Sequence, residues 1–198
     1  MGSLTPQESQ VLASLVPGCR NGDRRAQTQF YNLCKKRLFG ICLRYAGTRS
    51  EADCIFQDAF VRIFAHMHEL KDAEHVFAWA KTTVIRTAIN YYHRELKASR
   101  ELVSLDSAVH DTADDFHLGI VGQLEMESLV LLINELPAGY RMVLNLYLID
   151  GYNHGEIAKM LNITEGSSRS QYARGKTALI KKLEQIGLKK DDYVPQKR

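Results

Sequence analysis

Short polar and cationic side chains between residues 164 and 176 are of the types that contact nucleic-acid bases. Hydroxyl, amide and guanidinium groups near the start of a helix match the hydrogen-bonding edges in the DNA major groove. We predict that Arg169 and Gln171 contact base edges and that Arg174 and Lys176 mainly contact phosphates. The whole set is Thr164, Ser167, Arg169, Ser170, Gln171, Arg174 and Lys176.

Residues 153–183 are predicted to form the helix-turn-helix that positions these side chains. Asn153 is a preferred N-cap residue, and Glu156 three positions later completes a capping box. Asn162 tolerates the left-handed backbone conformation that ends such a helix, and Thr164 caps the second helix. Helical spacing assigns the inward positions to Ile157, Met160, Leu161, Tyr172, Leu179 and Leu183.

An ordinary helical hairpin with a solvated basic face is the alternative interpretation. Three features favour a DNA-binding helix-turn-helix: the small Ala158 at the helix crossing, the three-residue turn and the cations gathered on one helix. We therefore expect the second helix to contact DNA.

Charge is distributed unevenly along the 198 residues, although the net charge is only +3. Residues 20–97 and 153–198 carry net charges of +6 and +5, whereas residues 98–128 carry −6. Two basic blocks with an acidic connector indicate two nucleic-acid contacts held apart by a segment that avoids DNA.

A long helix is predicted from Val76 to about Lys97. Its positions for burial are Phe77, Trp79, Ala80, Val84, Ala88 and Tyr91. Its other positions include Lys81, Arg86, Asn90, His93, Arg94 and Lys97, interleaved with Tyr92. Such a mixture suits single-stranded nucleic acid, because phosphates need positive charge and unstacked bases need a stacking surface. A solvated amphipathic helix would show a similar pattern.

The helix predicted for Glu51–Phe64, with Ser50 as its cap, carries a different set of side chains. The positions that can line the core are Cys54, Ile55, Ala59 and Ile63. The rest of its surface holds Asp53, Phe56, Gln57, Asp58 and Phe60. An exposed aromatic beside carboxylates suits a protein partner. Residue chemistry leaves open the alternative that both phenylalanines belong to the core.

Turn and capping residues predict the remaining boundaries. The expected elements are a short helix Gln7–Val16 broken by Pro17 and Gly18, a helix from Asp23 that Gly47 ends, a polar loop Ala65–Glu74, a helix from about Leu124 to before Pro137, a further helix to Gly151, and a frayed tail after Gly187.

Composition argues against several classes of function. No apolar run approaches the roughly 18 residues of a membrane span, and the N-terminus lacks the apolar core of a signal peptide, so we expect a cytoplasmic protein without membrane insertion. The cysteines lack the tight pairs of zinc sites, and Cys34 and Cys42 fall on one helical face, as buried residues would. We expect no metal, cofactor, small-molecule substrate or enzymatic activity, because no phosphate loop, nucleophile elbow or ligand cluster is present.

Four stretches, in this order, resemble bacterial RNA polymerase sigma factors of the extracytoplasmic-function (ECF) group. They are GDRRAQTQFYNLCKKRLFGICLRYAG, EADCIFQDAFVRIF, AWAKTTVIRTAINYYHR, and the helix-turn-helix preceded by LINELPAGYRMVLNLYLIDGYNHGEIAKML. No single stretch is decisive, whereas their order and spacing are specific. Together they cover most of residues 20–185.

The resemblance implies an all-α protein that binds core RNA polymerase and promoter DNA and, in many cases, an anti-sigma factor. By position, Asp53, Phe56, Gln57, Asp58 and Phe60 fall on the polymerase-binding helix, and Lys81, Arg86, Asn90, His93, Arg94 and Lys97 fall on the helix that melts the minus-ten element. The loop Ala65–Glu74 falls where the family captures a flipped base. The second helix of the helix-turn-helix falls where the family contacts the minus-thirty-five element.

The implied domain limits are 1–97 for minus-ten melting, 98–123 for a flexible acidic linker, 124–187 for the minus-thirty-five element and 188–198 for a tail. In the family, the connector threads through the polymerase cleft, so an acidic linker could occupy a channel lined for polyanions. The alternative is that its acids only keep the linker soluble and off the DNA.

The chain departs from the family at four positions. The family often has Asp at Asn90, Arg at Ile85, Val at Ser168 and Arg at Gln171. These differences affect base preference and individual contacts. A rival interpretation is a helix-turn-helix regulator that acts without polymerase, which explains residues 153–183 but not the first half. A small recombinase is a weaker third.

Overall fold

The computed structural model describes residues 4–100 and 126–186, and every regular element in those ranges is helical. This confirms the all-α prediction. The chain divides into two compact units, Met1–Tyr91 and Tyr92–Arg198. The helices are α1 (Pro6–Arg20), α2 (Arg24–Tyr45), α3 (Arg49–Ala65), α4 (Val76–Arg100), α5 (Met126–Asn134), α6 (Ala138–Leu144), α7 (His154–Leu161) and α8 (Glu165–Gln185).

Helix α1 continues through Pro17, so the prediction of a break at Pro17 and Gly18 is wrong. Proline lacks an amide hydrogen and usually interrupts a helix. Here the carbonyl of Pro17 still accepts a hydrogen bond from the amide of Asn21, and buried residues lie on both sides of the proline. Gly18 instead permits a close helix approach, because a Cβ there would stand 2.8 Å from the Cβ of Ala26.

Helix α3 is capped by Thr48, not by Ser50 as predicted. The Thr48 hydroxyl accepts a hydrogen bond from the amide of Glu51 at 3.2 Å, and the Glu51 carboxylate accepts one from the amide of Gly47 at 2.7 Å. Thr48 is favoured because it places Glu51 where its carboxylate can reach back. Helix α2 ends at Tyr45, and the following Ala46 has an extended conformation. The predicted end residue, Gly47, is not left-handed.

The core of the first unit is formed by the inward faces of its helices. Fully or nearly fully buried residues include Leu12, Val16, Phe30, Cys34, Leu38, Ile55, Ile63, Met67 and Val84. Burying one such large apolar side chain contributes about 1.5–3 kcal/mol relative to leaving it exposed. Cys54 is exposed, which corrects its predicted place in the core. Trp79 is only half-buried.

The second unit contains a change of helical pitch before the helix-turn-helix. Pro137 lies one position before α6, and α6 passes directly into a π-helical segment, Asn145–Ile149. The predicted continuous helix to Gly151 is therefore correct in extent but not in pitch. Gly151 then has φ of 78°, where a residue without a side chain is favoured.

Some predictions fall partly or wholly outside the described residues. Most of the predicted linker, residues 101–123, and the tail 188–198 lie there. Helix α4 extends to Arg100, three residues beyond its predicted end.

None of the helices in the described ranges has the length and apolar character needed to cross a membrane.

Candidate nucleic-acid and protein interfaces

Helices α7 and α8 form the predicted helix-turn-helix, and its predicted caps are confirmed. Asn153 and Glu156 form a reciprocal capping box, with hydrogen bonds of 2.9 and 2.8 Å. Asn162 is left-handed, with φ of 52° and ψ of 49°. The Thr164 hydroxyl accepts from the amide of Ser167 at 3.0 Å and donates to its hydroxyl at 2.9 Å. These local bonds set where α8 begins.

A buried polar pair joins the two helices. His154 Nδ1 lies 2.9 Å from Ser168 Oγ, and the residues are 9% and 0% exposed. The His154 ring stacks on Tyr147 with centroids 4.6 Å apart, and Tyr172 lies edge-on at 5.5 Å. Because buried polar atoms are costly unless they are hydrogen-bonded, this pair favours one relative placement of α7 and α8.

Sequence reasoning missed this pair, although a signal for Ser168 was present. Ser168 lies four residues before Tyr172, which is on the inward face of α8, so helical spacing places the serine on the same face. Nothing comparable marked His154, whose partner is 14 residues away.

The predicted inward face of the helix-turn-helix is mostly confirmed. Ile157, Leu161, Tyr172, Leu179 and Leu183 are buried. Met160 is only half-buried, because it lies at the edge of the apolar face.

The predicted outward face of α8 is only partly exposed. Thr164, Ser167 and Arg169 are exposed, whereas Ser170, Gln171, Arg174 and Lys176 are half-buried. The amide oxygen of Gln171 is buried and without a hydrogen-bond partner, and a Cβ on Gly139 would stand 2.8 Å from it. Gln171 was predicted to lie on the exposed face. That prediction is wrong for its amide oxygen, which packs against α6.

Arg169 is the exposed cation nearest the start of α8. Its guanidinium pairs with the Glu165 carboxylate one helical turn away at 2.5 Å. An exposed pair of this spacing stabilises a helix by only about 0.3–0.5 kcal/mol. The Arg169 guanidinium can therefore leave this carboxylate for another acceptor at small cost.

Helix α4 presents a polar stripe to solvent. Arg86, Asn90 and Arg94 are exposed and follow one another at intervals of four residues. That spacing keeps them on one side of the helix. Of the other predicted residues, Lys81 and His93 are half-buried, and the side chain of Lys97 lies outside the described part of the chain.

The buried face of α4 contains Ile85, one of the four positions of departure named above. Ile85 is 1% exposed, with Val84, Ala88 and Ile89 also buried. At this position the chain therefore uses a core residue where the family often has an arginine.

The segment between α3 and α4 is more ordered than the predicted polar loop. It contains two short 3₁₀ turns, Met67–Glu69 and Ala73–His75. His66 contacts Glu69 at 2.8 Å, and His75 contacts Asp72 at 2.8 Å. The hydrogen bond from His66 lowers the pKa of Glu69. The amide of Glu74, followed by His75, lowers the pKa of Asp72.

A groove of about 660 Å³ lies between α2 and α3. Its floor is aromatic: the Tyr31 and Phe60 rings are 4.9 Å apart, Phe56 and Phe60 are 4.8 Å apart, and Phe39 and Phe56 are 5.3 Å apart. Its lining residues are Tyr31, Lys35, Lys36, Phe39, Arg49, Asp53, Phe56, Gln57, Phe60 and Val61.

The groove brings together four of the five residues predicted for a protein partner. Asp53, Phe56, Gln57 and Phe60 line it, whereas Asp58 is half-buried and outside the lining. Phe60 is 6% exposed, so this residue is both a core side chain and part of the groove floor. The alternative that the phenylalanines belong to the core is therefore confirmed for Phe60, whereas Phe56 is half-buried.

Helix α2 supplies four of the ten residues that line this groove, and sequence reasoning missed this contribution. Tyr31, Lys35 and Phe39 are spaced by four residues, the interval that places side chains on one helical face. Lys35 lies over the Tyr31 ring at 5.7 Å, and Arg49 of α3 lies over the Phe39 ring at 5.1 Å. The groove is thus apolar within and mixed in charge at its rim.

The cysteines differ in accessibility. Cys19, Cys34 and Cys42 are buried and free, and Cys54 is exposed on α3. Burial raises the pKa of Cys19 to about 11 and the pKa of Cys34 and Cys42 to about 12. Among the described residues, no cluster of His, Cys, Asp and Glu has an arrangement that could hold a metal ion.

Two family profiles match this chain. Sigma-70 region 2 matches residues 30–97, which include α3 and most of α4. Sigma-70 region 4 matches residues 126–179, which include α7 and most of α8. Together they span more than half of the sequence.

Two similar proteins that match most of this chain are sigma factors. The ECF RNA polymerase sigma factor SigW of Bacillus subtilis is 28% identical over 188 residues, covering 89% of this chain and 98% of SigW. The RNA polymerase sigma-H factor of Pseudomonas aeruginosa is 23% identical over 194 residues, covering 92% and 97%.

Two solved structures are also similar. The sigma factor RpoE in complex with the anti-sigma factor NepR from Bartonella quintana gives a TM-score of 0.48 at 19% identity, covering 81% of this chain and 98% of that one. CnrH in complex with the cytosolic domain of CnrY gives 0.45 at 18%, covering 88% and 98%.

The chain belongs to the sigma-70 family of RNA polymerase sigma factors, in its ECF group. It binds core RNA polymerase and directs transcription initiation at promoters, and the regulator that acts without polymerase is not favoured.

Proposed function

We propose that this sigma factor divides promoter recognition among three surfaces. The groove between α2 and α3 binds the polymerase, the polar stripe of α4 binds the opened minus-ten strand, and the exposed start of α8 contacts the minus-thirty-five element. The corresponding domain limits remain 1–97 and 124–187, joined by residues 98–123. The chain contributes binding and no catalytic step, and it acts in the cytoplasm, where the polymerase works.

The groove is the observation that carries this proposal. A regulator that binds DNA through a helix-turn-helix without polymerase does not require an aromatic groove in a separate unit. Val61 at its edge is 70% exposed, and exposed apolar side chains beside aromatic rings are typical of protein interfaces. The rim offers the carboxylate of Asp53 and the cations of Lys35, Lys36 and Arg49, which suits a helical partner carrying both signs of charge.

Val61→Glu tests the groove without disturbing the core. A buried, unpaired carboxylate in the bound state should weaken association with core polymerase about tenfold or more. Val11→Glu is the matched control, because Val11 is also exposed in the first unit but lies on α1 and does not line the groove. Equal affinity of Val61→Glu and Val11→Glu for core polymerase would refute the assignment.

The assignment of α8 is tested on DNA. Arg169→Ala should cost about 1–3 kcal/mol on the preferred upstream element and relax specificity at one base pair, as loss of a base contact does. Arg174→Ala should weaken binding to all sequences alike, as loss of a phosphate contact does. Equal losses on every DNA variant for Arg169→Ala would remove that residue from the base-contacting set.

We also propose an anti-sigma factor as a second partner. The simplest form of inhibition would be competition with the polymerase for the groove. In that case Val61→Glu should weaken both associations, whereas Arg169→Ala should weaken neither.

A further inference from the structure

The groove between α2 and α3 has the size of a small-molecule site. Its volume of about 660 Å³ falls within the roughly 300–1,000 Å³ of typical ligand pockets, which are mostly apolar with a few polar groups. Along α3 the lining extends from Arg49 to Val61, and twelve helical steps correspond to about 18 Å. The groove can therefore receive a long, narrow apolar body.

The aromatic floor of the groove leaves apolar surface in contact with water. Tyr31 is 37% exposed, and Phe39 and Phe56 are half-buried. These rings pack against one another edge to face, which keeps the floor in one arrangement. Covering such surface with an apolar ligand is favourable in proportion to the area removed from water.

Positive groups outnumber negative ones among the residues that line the groove. Lys35, Lys36 and Arg49 face the single carboxylate of Asp53. The Lys35 ammonium lies 5.7 Å from the centre of the Tyr31 ring, and the Arg49 guanidinium lies 5.1 Å from that of Phe39. Attraction between a cation and a ring face holds both charges beside the apolar floor. The groove therefore complements a ligand that is apolar along its length and negative at one end.

We propose that this groove is a binding site for the anion of an unbranched fatty acid. The acyl chain lies along the aromatic floor, and the carboxylate lies among the cations at the rim. A carboxylate only accepts hydrogen bonds, whereas ammonium and guanidinium groups only donate them. The ligand is a dissolved fatty acid, because a concave groove admits a single chain and a bilayer presents many headgroups on a flat surface. Competition between this ligand and core polymerase is the one consequence that rests on the proposed function.

The first test titrates the free full-length chain with octanoate, decanoate and dodecanoate, each below the concentration at which it forms micelles. Binding should saturate at one anion per chain, and the amide NMR signals that shift should belong to α2 and α3. Affinity should rise about threefold per methylene, as expected for burial of the acyl chain. Binding that does not saturate, or that is independent of chain length, would overturn the proposal.

A second test changes the apolar edge of the groove. Val61→Glu should weaken decanoate binding about tenfold, because its carboxylate lies beside the acyl chain and repels the head group. Val11→Glu is the matched control, since Val11 is 43% exposed and does not line the groove. Equal decanoate affinities of the two variants would overturn the proposal.

A third test reverses one charge at the rim. Arg49→Glu should lower the affinity for decanoate about fivefold and raise the affinity for decyltrimethylammonium, which has a positive head group. Arg24→Glu is the matched control, because Arg24 is exposed on α2 and does not line the groove. If Arg49→Glu does not fold, Lys36→Glu replaces it, since Lys36 is an exposed lining residue. Equal effects of the rim variant and Arg24→Glu would overturn the proposal.

Vesicles and core polymerase separate this inference from its alternatives. Binding to phosphatidylglycerol vesicles without binding to dissolved decanoate would overturn the fatty-acid assignment in favour of a membrane surface. Decanoate at ten times its Kd should raise the apparent Kd for core polymerase about tenfold. Saturable decanoate binding without this competition would support the ligand site and overturn the polymerase assignment of the groove. Polymerase binding that Val61→Glu weakens, with no decanoate binding, would overturn the inference and leave the proposed function standing.

Discussion

Replacing Ser168 by alanine should loosen the helix-turn-helix. The Ser168 hydroxyl is fully buried and lies 2.9 Å from Nδ1 of His154. Its removal takes a hydrogen-bond partner from a buried ring nitrogen, which costs about 1–3 kcal/mol. For a unit of this size, a loss near 2 kcal/mol lowers the melting temperature by about 8–16 °C.

A double-mutant cycle isolates the pair from the packing around it. His154→Phe keeps a ring between Tyr147 and Tyr172 but removes the polar atom. In the His154→Phe background, Ser168→Ala should lower the free energy of unfolding by less than it does in the parent. The difference, which is the coupling energy of the pair, should be about 0.5–3 kcal/mol. Thermal unfolding followed by near-ultraviolet circular dichroism of the tyrosines reports on this cluster.

A further variant tests why the family often has valine at this position. Ser168→Val should be poorly tolerated beside His154 but well tolerated beside phenylalanine, because two apolar groups can then pack without a stranded polar atom. A Ser168→Ala variant with the melting temperature of the parent would refute this account of the pair. Additive losses of unfolding free energy in the double-mutant cycle would refute it as well.

Three other outcomes are expected. Asn162→Val should destabilise the second unit by about 1–2 kcal/mol or more, because its φ of 52° is unfavourable for a β-branched residue, whereas Asn162→Gly should be nearly neutral in thermal unfolding. The pKa of Glu8 is held below its ordinary value first by the amide of Thr5 and then by Arg37, so its stabilisation is present at neutral pH and lost as pH falls through that lowered pKa. Arg37→Gln should raise the pKa of Glu8 in an NMR titration. Asn90→Ala should impair transcription from duplex promoters more than from templates already opened at the minus-ten position.

Local signals were sufficient for the helix-turn-helix. Capping residues act within three or four positions, so Asn153, Glu156, Asn162 and Thr164 could be assigned from spacing alone. The inward face of α8 followed from helical periodicity in the same way. These features depend on few contacts that are distant in sequence.

Contacts between distant residues account for what the sequence could not show. Helix α1 passes through Pro17 because packing against the first-unit core outweighs a missing hydrogen bond. The exposure of Cys54 and the shape of the groove depend on how α2 lies against α3. The hydrogen bonds from Arg20 to the carbonyls of Met67 and Leu70 join residues 47 and 50 positions apart. No local sequence pattern predicts them.

The uneven burial of the thiols has a practical consequence for spectroscopy. Thiolates, not thiols, react with alkylating probes, so the three buried cysteines with raised pKa should stay unlabelled in the native chain. Cys54 is the one exposed cysteine of the four, so it alone would react with a fluorophore. It follows Asp53, which lines the groove. The natural chain therefore carries its own single labelling position, where a dye can report groove occupancy in real time without any engineered cysteine.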